Sequence, residues 1–303
     1  MIKTPVVSVI VATYNSRRTL QWTLQSILNQ SFVDFEVHVI GDGCTDDSEH
    51  VVQLAGDARV HWLNLPQNSG TQAMPNNAGI DRAQGEFIAY LGHDDLWFPH
   101  HLAVLIDKIR EPGTDFVHSM TAFFDQSGLA GTVGTPRSDR GHMWHSAPPS
   151  SWLHRRELAA RLSGWRAPTQ LPSGVDMDFF HRAHAAGAGV QMAPRLSVLK
   201  FPSPNFRLYD QASPHPQAEY WRQMVSNPIE LEHAVLSQAA RLLAKWLYGD
   251  PPMRELFSYV SNRVIRKMRR IVLAHEPLAR LEGIRFDRFR RKIHARRRGL
   301  PPS

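Results

Sequence analysis

The sequence predicts an α/β protein, a mostly parallel sheet flanked by helices, with a helical, basic C-terminal extension. Three observations predict it. Between residues 5 and 120, short β-branched or aromatic runs alternate with segments of helical spacing, the pattern of parallel strands joined by helical crossovers. The apolar run Glu86 to Leu91 ends abruptly in Gly92-His93-Asp94-Asp95, two adjacent carboxylates at the end of a buried strand. Charge is segregated: residues 1–210 hold 17 Lys+Arg and 20 Asp+Glu, whereas 211–303 hold 18 and 8, giving that segment a net charge of +10.

Each element follows from its local pattern. Val6 to Thr13 is a β-branched run that reads as a buried first strand, and Thr19 to Leu28 has helical spacing. Phe35 to Ile40 is the second strand; Asp42-Gly43-Cys44-Thr45-Asp46-Asp47 is a turn carrying helix-start acids, with Val51 to Leu54 in the helix behind it. Val60 to Leu63, Phe87 to Leu91 and Phe116 to Phe124 read as further strands, and Ala73 to Ala83 and Leu102 to Ile109 as the helices between them. Residues 125–150, rich in Gly, Ser, Pro and Arg, read as a long loop, either solvated or a lid or acceptor surface through Arg137, Arg140, His142, Trp144 and His145. Ser151 to Leu162 resumes with strand then helix, and Gly174 to Ala186 is helical. The Pro-rich stretch 202–216 reads as a boundary between a domain at 1–205 and an extension at 206–303. In the extension, Leu231 to Tyr248 and Met253 to Leu273 read as helices, the second with an apolar stripe from Leu256 to Ile271 and basic residues on its other faces.

Length and composition bound the function. A chain of 303 residues holds one domain of about 200 to 250 residues plus an appendage. The single cysteine, Cys44, excludes an intrachain disulfide and fits a reducing compartment. The apolar run Val6 to Ala12 is short for a signal-peptide core, and no apolar window is long enough for a membrane span, so the expected location is the cytoplasm, in solution or peripheral to a membrane.

The candidate chemistry lies at strand ends. Open α/β sheets bind ligands at the carboxyl ends of their strands, where Ala12-Thr13-Tyr14-Asn15, Gly41-Asp42-Gly43 and Gly92-His93-Asp94-Asp95 should converge. Asp94 and Asp95 read either as caps of the following helix or as ligands of a hard cation such as Mg2+ or Mn2+, whose shell substrate phosphates would complete. Asp42 reads as a turn former or as an acceptor for a base N–H, and Tyr14 as a packing residue or a base platform. Asp176 and Asp178 cannot share a helix face, so one could point into the crevice as a general base while Phe179 and Phe180 anchor the helix. Acids at a helix N-terminus also suit its dipole.

In order, these motifs, with Asn68-Ser69-Gly70 and Asn77-Ala78-Gly79 between them, resemble the inverting family 2 glycosyltransferases of the Rossmann-like GT-A fold over residues 5–200. The resemblance implies a transfer from a nucleotide-sugar donor, UDP being favoured, to a saccharide or lipid-linked acceptor. It implies Asp42 as the base-reading carboxylate beside Ala12 and Tyr14, Asp94 as the last acid of the metal-binding DXD motif with Asp95 assisting, and Asp176 as catalytic base. Asn77, His93 and Arg155 join the implied donor site, His154-Arg155 as a pair near the phosphates, and Trp165 is the implied acceptor-side aromatic. The chain departs from the pattern at Gly92 and Gly41, each in place of an acid, at Val175 in place of Glu, and at Asn76 in place of Arg.

Two other classes compete. A sugar-phosphate nucleotidyltransferase needs a Gly-rich loop after strand one, where this chain has Thr13-Tyr14-Asn15-Ser16-Arg17-Arg18. A non-catalytic nucleotide-binding or membrane-surface scaffold is consistent with the weakened acidic motif. The basic run Arg285 to Arg298 suits an anionic membrane surface or a solvated terminus; nucleic acid is disfavoured because few aromatics are interleaved for stacking.

Overall fold

The structure is a computed structural model; it describes residues 4–134, 137–139, 142–144, 147–168, 171, 174–206 and 215–248. The first half follows the sequence pattern closely. Strand β1 (Val7–Thr13), helix α1 (Arg17–Leu28), β2 (Phe35–Gly41), α2 (Ser48–Leu54), β3 (Val60–Asn64), α3 (Ala73–Ile80), β4 (Phe87–Tyr90), β5 (Leu96–Trp97), α4 (His101–Ile109) and β6 (Phe116–Asp125) succeed one another. The second half adds β7 (Gly128–Val133), β8 (Arg137–Asp139), β9 (His142–Trp144), β10 (Trp152–Arg155), α5 (Arg156–Arg161), α6 (Val175–Ala185), β11 (Val190–Lys200), α7 (Ser203–Phe206), α8 (Gln217–Ser226) and α9 (Pro228–Tyr248).

The main sheet runs β3-β2-β1-β4-β10-β6-β11-β5, with β7 paired to β6. Strands β1 to β4, β6 and β11 share one direction, and β5, β7 and β10 oppose it. Alternation along the strands divides the core between the two faces. Val7, Val9 and Val11 meet α1 and α4 on one side, whereas Ile10 and Tyr90 meet α5 and α6 on the other.

Two expectations need correction, and one strand went unread. Asp94 and Asp95 do not cap a helix: Leu96–Trp97 is a strand against β11, and α4 begins only at His101. Residues 125–150 are not one loop, because β7 returns along β6 as a hairpin and β8 pairs with β9. Of the lid residues expected there, Arg140 and His145 lie outside the described residues. The strand β11 had no counterpart in the sequence reading, since Pro194 and two bulges break its alternation. Beyond the expected boundary, Trp221 and Met224 of α8 and Leu231 and Val235 of α9 pack with Leu96, Phe124 and Phe201. The segments 253–273 and 285–298 lie outside the described residues.

His154 of β10 is fully buried between Tyr90 and Phe179, and burial drives its pKa down from 6.5 to about 4. The unfolded chain therefore binds a proton between these values that the folded chain does not. The stability it contributes is complete above pH 6.5 and is lost as the pH falls towards 4, by about 3 kcal/mol at about 1.4 kcal/mol per tenfold shift. Urea unfolding at pH 7 and pH 4.5 should show this decline, and His154→Gln should flatten it.

Candidate functional site

The carboxyl ends of β1, β2 and β4 do converge. The Asp42 N–H donates to the Thr13 carbonyl (2.8 Å), the Leu91 N–H to the Ile10 carbonyl (3.1 Å), and His93 Nδ1 lies 3.0 Å from the Ala12 carbonyl. Because a carbonyl only accepts, His93 Nδ1 is the donor in this contact, and the other ring nitrogen is Nε2. That Nε2 is buried and has no hydrogen-bond partner among the described residues. Asn15, held at φ 44°, accepts from the N–H groups of Thr45 and Asp46 and so fastens the end of β1 to the turn after β2. Tyr14 is half-buried beside it.

Adjacent in sequence, Asp94 and Asp95 have opposite surroundings. Asp95 is 0% exposed. Its Oδ2 accepts from Ser150 Oγ (2.5 Å) and Lys200 Nζ (2.7 Å), and its Oδ1 from the Phe201 N–H (3.0 Å). Its carbonyl accepts from Thr23 Oγ1 (2.9 Å) and Gln217 Nε2 (3.2 Å). Burial is the largest influence on Asp95 and, with the like charge of Asp94, holds its carboxyl above the usual range against the pull of Lys200. Asp94 accepts from Ser203 Oγ at Oδ2 (2.6 Å). Burial raises it too, but His93, Lys200, Ser203 and His215 together outweigh that and keep it below the usual range. The expected assistance of Asp95 in metal binding is therefore not what this geometry provides: its oxygens are engaged in tying β4 to β11.

The change of the first acid to Gly92 has a steric reason. A Cβ at position 92 would lie 2.8 Å from Asp95 Oδ2 and 3.1 Å from Asp94 Oδ1. An acid there would need the two carboxylates to move apart. Asp94 Oδ1 is the oxygen that Ser203 does not hold.

The second acidic cluster divides as well. Asp178 accepts from Arg182 Nε (2.7 Å), and Arg182 also donates to the carbonyls of Leu162 and Gly164, so this pair fastens α6 to the preceding loop. Asp176, near the α6 N-terminus, lies within the electrostatic reach of Lys200. Lys200, Asp94 and Asp95 are thus gathered from β11 and the end of β4, and the charge of Asp176 on α6 adds to the field at Lys200.

Other predicted residues lie elsewhere or are engaged. Arg155 pairs with the start of β4 and contacts Glu86 and Asp115, at the opposite edge of the sheet from Asp94, because β10 runs antiparallel. His154 is core. Trp165 is 3% exposed, stacked on Trp152 and Phe179, with its indole N–H donated to Tyr90 Oη, so it presents no face to an acceptor. The Asn77 amide is closed on the Trp165 main chain in both directions (2.8 and 2.9 Å). Gly164, at φ 69°, is required beside it, since a Cβ would approach Asn77 Oδ1 to 2.5 Å. Asp42 is buried and accepts from the Ser69 N–H and hydroxyl (3.0 Å each); burial still raises its pKa, so its carboxylate holds the 68–70 loop in place.

Ser150, Lys200, Ser203, His215 and Gln217 were missed by sequence reading. Only Lys200 carried a signal: a lone Lys in the apolar run Leu196 to Phe201 requires a buried partner.

Residues 8–158 match the family model described as Glycosyl transferase family 2. The chain belongs to that family. It is 38% identical over 110 residues, 35% of each chain, to the GalNAc(5)-diNAcBac-PP-undecaprenol beta-1,3-glucosyltransferase of Campylobacter jejuni. Among solved structures it resembles S. aureus TarS 1-349 in complex with UDP-GlcNAc, at TM-score 0.56 and 22% identity over 65% of this chain and 58% of that one. It also resembles the mannosyltransferase PcManGT of Pyrobaculum calidifontis in complex with GDP-Man and Mn2+, at TM-score 0.53 and 16% identity over 92% of this chain and 84% of that one. These likenesses establish the GT-A fold for this family 2 chain. The chain spans about half or less of the length of the curated relatives it matches.

The two adjacent acids should separate on mutation. Asp95→Ala leaves Lys200 without its buried partner and should cost about 3 kcal/mol of stability, because breaking a buried pair strands the other charge. Asp94→Ala should cost clearly less. Urea denaturation of the two variants side by side measures the difference.

Proposed function

We propose that the chain transfers a sugar from a nucleoside-diphosphate donor, a UDP-sugar, to an acceptor hydroxyl with inversion at the anomeric carbon. The observation that carries this reading is the placement of Asp94 and Lys200 at the carboxyl edge of the sheet, within the electrostatic reach of Asp176 and beside the strand ends that hold Ala12, Tyr14, Asp42 and His93. The acceptor we favour is a saccharide on a lipid carrier, as the name of the Campylobacter jejuni relative describes for that protein. A cytoplasmic membrane face with anionic lipids is the setting this implies, and the basic segment 285–298 supplies the matching charge. No described helix is long and apolar enough to cross a membrane.

Among the described residues no group of three or more His, Cys, Asp or Glu side chains could hold a metal, so a divalent cation here would take most of its shell from the donor phosphates. Lys200 is matched by Asp95, so Asp94 and Asp176 leave the crevice negative, and an anionic diphosphate needs a cation between itself and them. Asp94, through the Oδ1 that Ser203 leaves free, would hold Mg2+ or Mn2+ with the donor phosphates completing the shell. When bound, that ion neutralises charge growing on the leaving diphosphate.

The chain's own residues do the rest. Asp176 takes the proton of the acceptor hydroxyl as its oxygen forms the bond to the anomeric carbon. The bond from that carbon to the diphosphate oxygen breaks on the opposite face, and the nucleoside diphosphate leaves with the electron pair. Such base assistance contributes about 10² to 10⁴ in rate. Asp42 holds the Ser69 loop that walls the base site, and His93 fastens the turn bearing Asp94 to β1.

Two measurements test the reading. UDP with Mn2+ or Mg2+ at 100 times its dissociation constant should stabilise the fold by about 2.7 kcal/mol, and EDTA or Asp94→Ala should abolish the shift. Asp176→Asn should retain UDP binding and lose about 10² to 10⁴ of UDP-sugar turnover. An unshifted melting transition with every nucleotide would leave a non-catalytic scaffold as the better account.

A further inference from the structure

The turn between β2 and α2 carries Asp42, and its main chain is held from both neighbouring strands. On the β1 side, the Asp42 N–H donates to the Thr13 carbonyl (2.8 Å), and Asn15 Oδ1 accepts from the N–H groups of Thr45 (2.8 Å) and Asp46 (3.3 Å). On the β3 side, Asn64 grips Cys44, which lies between them. Its Oδ1 accepts from the Cys44 N–H and its Nδ2 donates to the Cys44 carbonyl, each at 2.8 Å. Gly41 and Asn64 are the last paired residues of β2 and β3, so this side-chain amide continues the ladder past its end, pairing with Cys44 as a strand residue would.

Gly41 makes room for the grip. A Cβ at position 41 would lie 2.5 Å from Asn64 Oδ1 and 2.8 Å from the Trp62 ring, so the acid that the resemblance implies there would displace the Asn64 amide. Gly43, at φ 72°, is the free joint of the turn, and a Cβ on it would lie 2.5 Å from the Asn68 nitrogen, so the 67–68 main chain rests directly against it. Asp42 is fixed on one side of that joint and Cys44 on the other. The joint therefore cannot swing, and the Asp42 carboxylate stays against Ser69. Asn64 itself is exposed and contributes no packing to the core, so its two hydrogen bonds are what it supplies.

We propose that Asn64 is a positioning residue for donor binding: by fixing the Cys44 peptide, it sets the Asp42 turn and the 67–70 loop that wall the base end of the site. The inference rests on the nucleotide-sugar reading above. It assigns Asn64 to the nucleobase end alone, since β1 stands in the sheet between this turn and the diphosphate end at Asp94.

The test titrates wild type, Asn64→Ala, Asn64→Asp, Asp42→Asn and the double variant Asn64→Ala/Asp42→Asn by calorimetry with UDP, CDP, GDP and inorganic diphosphate, all with Mg2+. Urea unfolding of each variant runs beside it. In Asn64→Ala, affinity for the nucleotide that wild type prefers should fall by about tenfold or more, while affinity for inorganic diphosphate stays within about threefold. Added to Asp42→Asn, the loss of Asn64 should cost little further, because residues acting as a unit are not additive. A purely structural role would lower the urea midpoint and leave nucleotide affinity at its wild-type value, which overturns the inference. If Asn64→Ala fails to fold, Asn64→Asp decides, since it keeps the acceptor for the Cys44 N–H and loses the donor to its carbonyl: weakened nucleotide affinity beside unchanged diphosphate affinity supports positioning, and unchanged nucleotide affinity overturns it. Equal losses for nucleotide and diphosphate, or full additivity with Asp42→Asn, overturn the inference and leave the donor reading standing. A wild type that binds no nucleoside diphosphate overturns both together.

Discussion

The buried Asp95–Lys200 pair is the contact on which the rest of the structure depends. Asp95 takes three donors on its carboxylate and two on its carbonyl, coming from β11, α1, α8 and the turn before β10. A charge with no exposure is tolerated only when it is paired and fully hydrogen-bonded. Here that requirement gathers elements more than a hundred residues apart in sequence around the end of β4. The pair ties the turn that carries Asp94 to the end of β11.

The same pair explains why the family's acidic motif takes an unusual form in this chain. With Asp95 held inward and Asp94 held by Ser203, no volume is left for a side chain at position 92. Gly92 is thus a consequence of packing around the two remaining acids. The division of labour is sharp: one acid builds the fold and its neighbour faces the crevice. The Asp176–Asp178 pair on α6 divides as well: Asp178 is bound to Arg182, and Asp176 lies within the electrostatic reach of Lys200.

Asp42, Asn77 and Trp165 are each closed on main-chain or core partners: Ser69, the 165 main chain, and Trp152 with Phe179. Arg155 is misplaced because the resemblance contains no information on strand direction. Reversal of β10 carries it to the far edge of the sheet, where Glu86 and Asp115 receive it.

What the sequence by itself determined is local and periodic. The strands β1 to β4 and β6, the helices α1 to α6 and the acids at strand ends could be read from runs of apolar residues and the turns that end them, because these depend on neighbours within a few residues; the family came from the resemblance of the motifs in order. Only the tertiary structure decided which of two adjacent acids is buried, that β5 and β11 close the sheet, and that Lys200, Ser203 and Gln217 complete the site. Those outcomes depend on partners about a hundred or more residues away. The energy of a buried charge is set by what surrounds it in space, and no spacing along the chain encodes that.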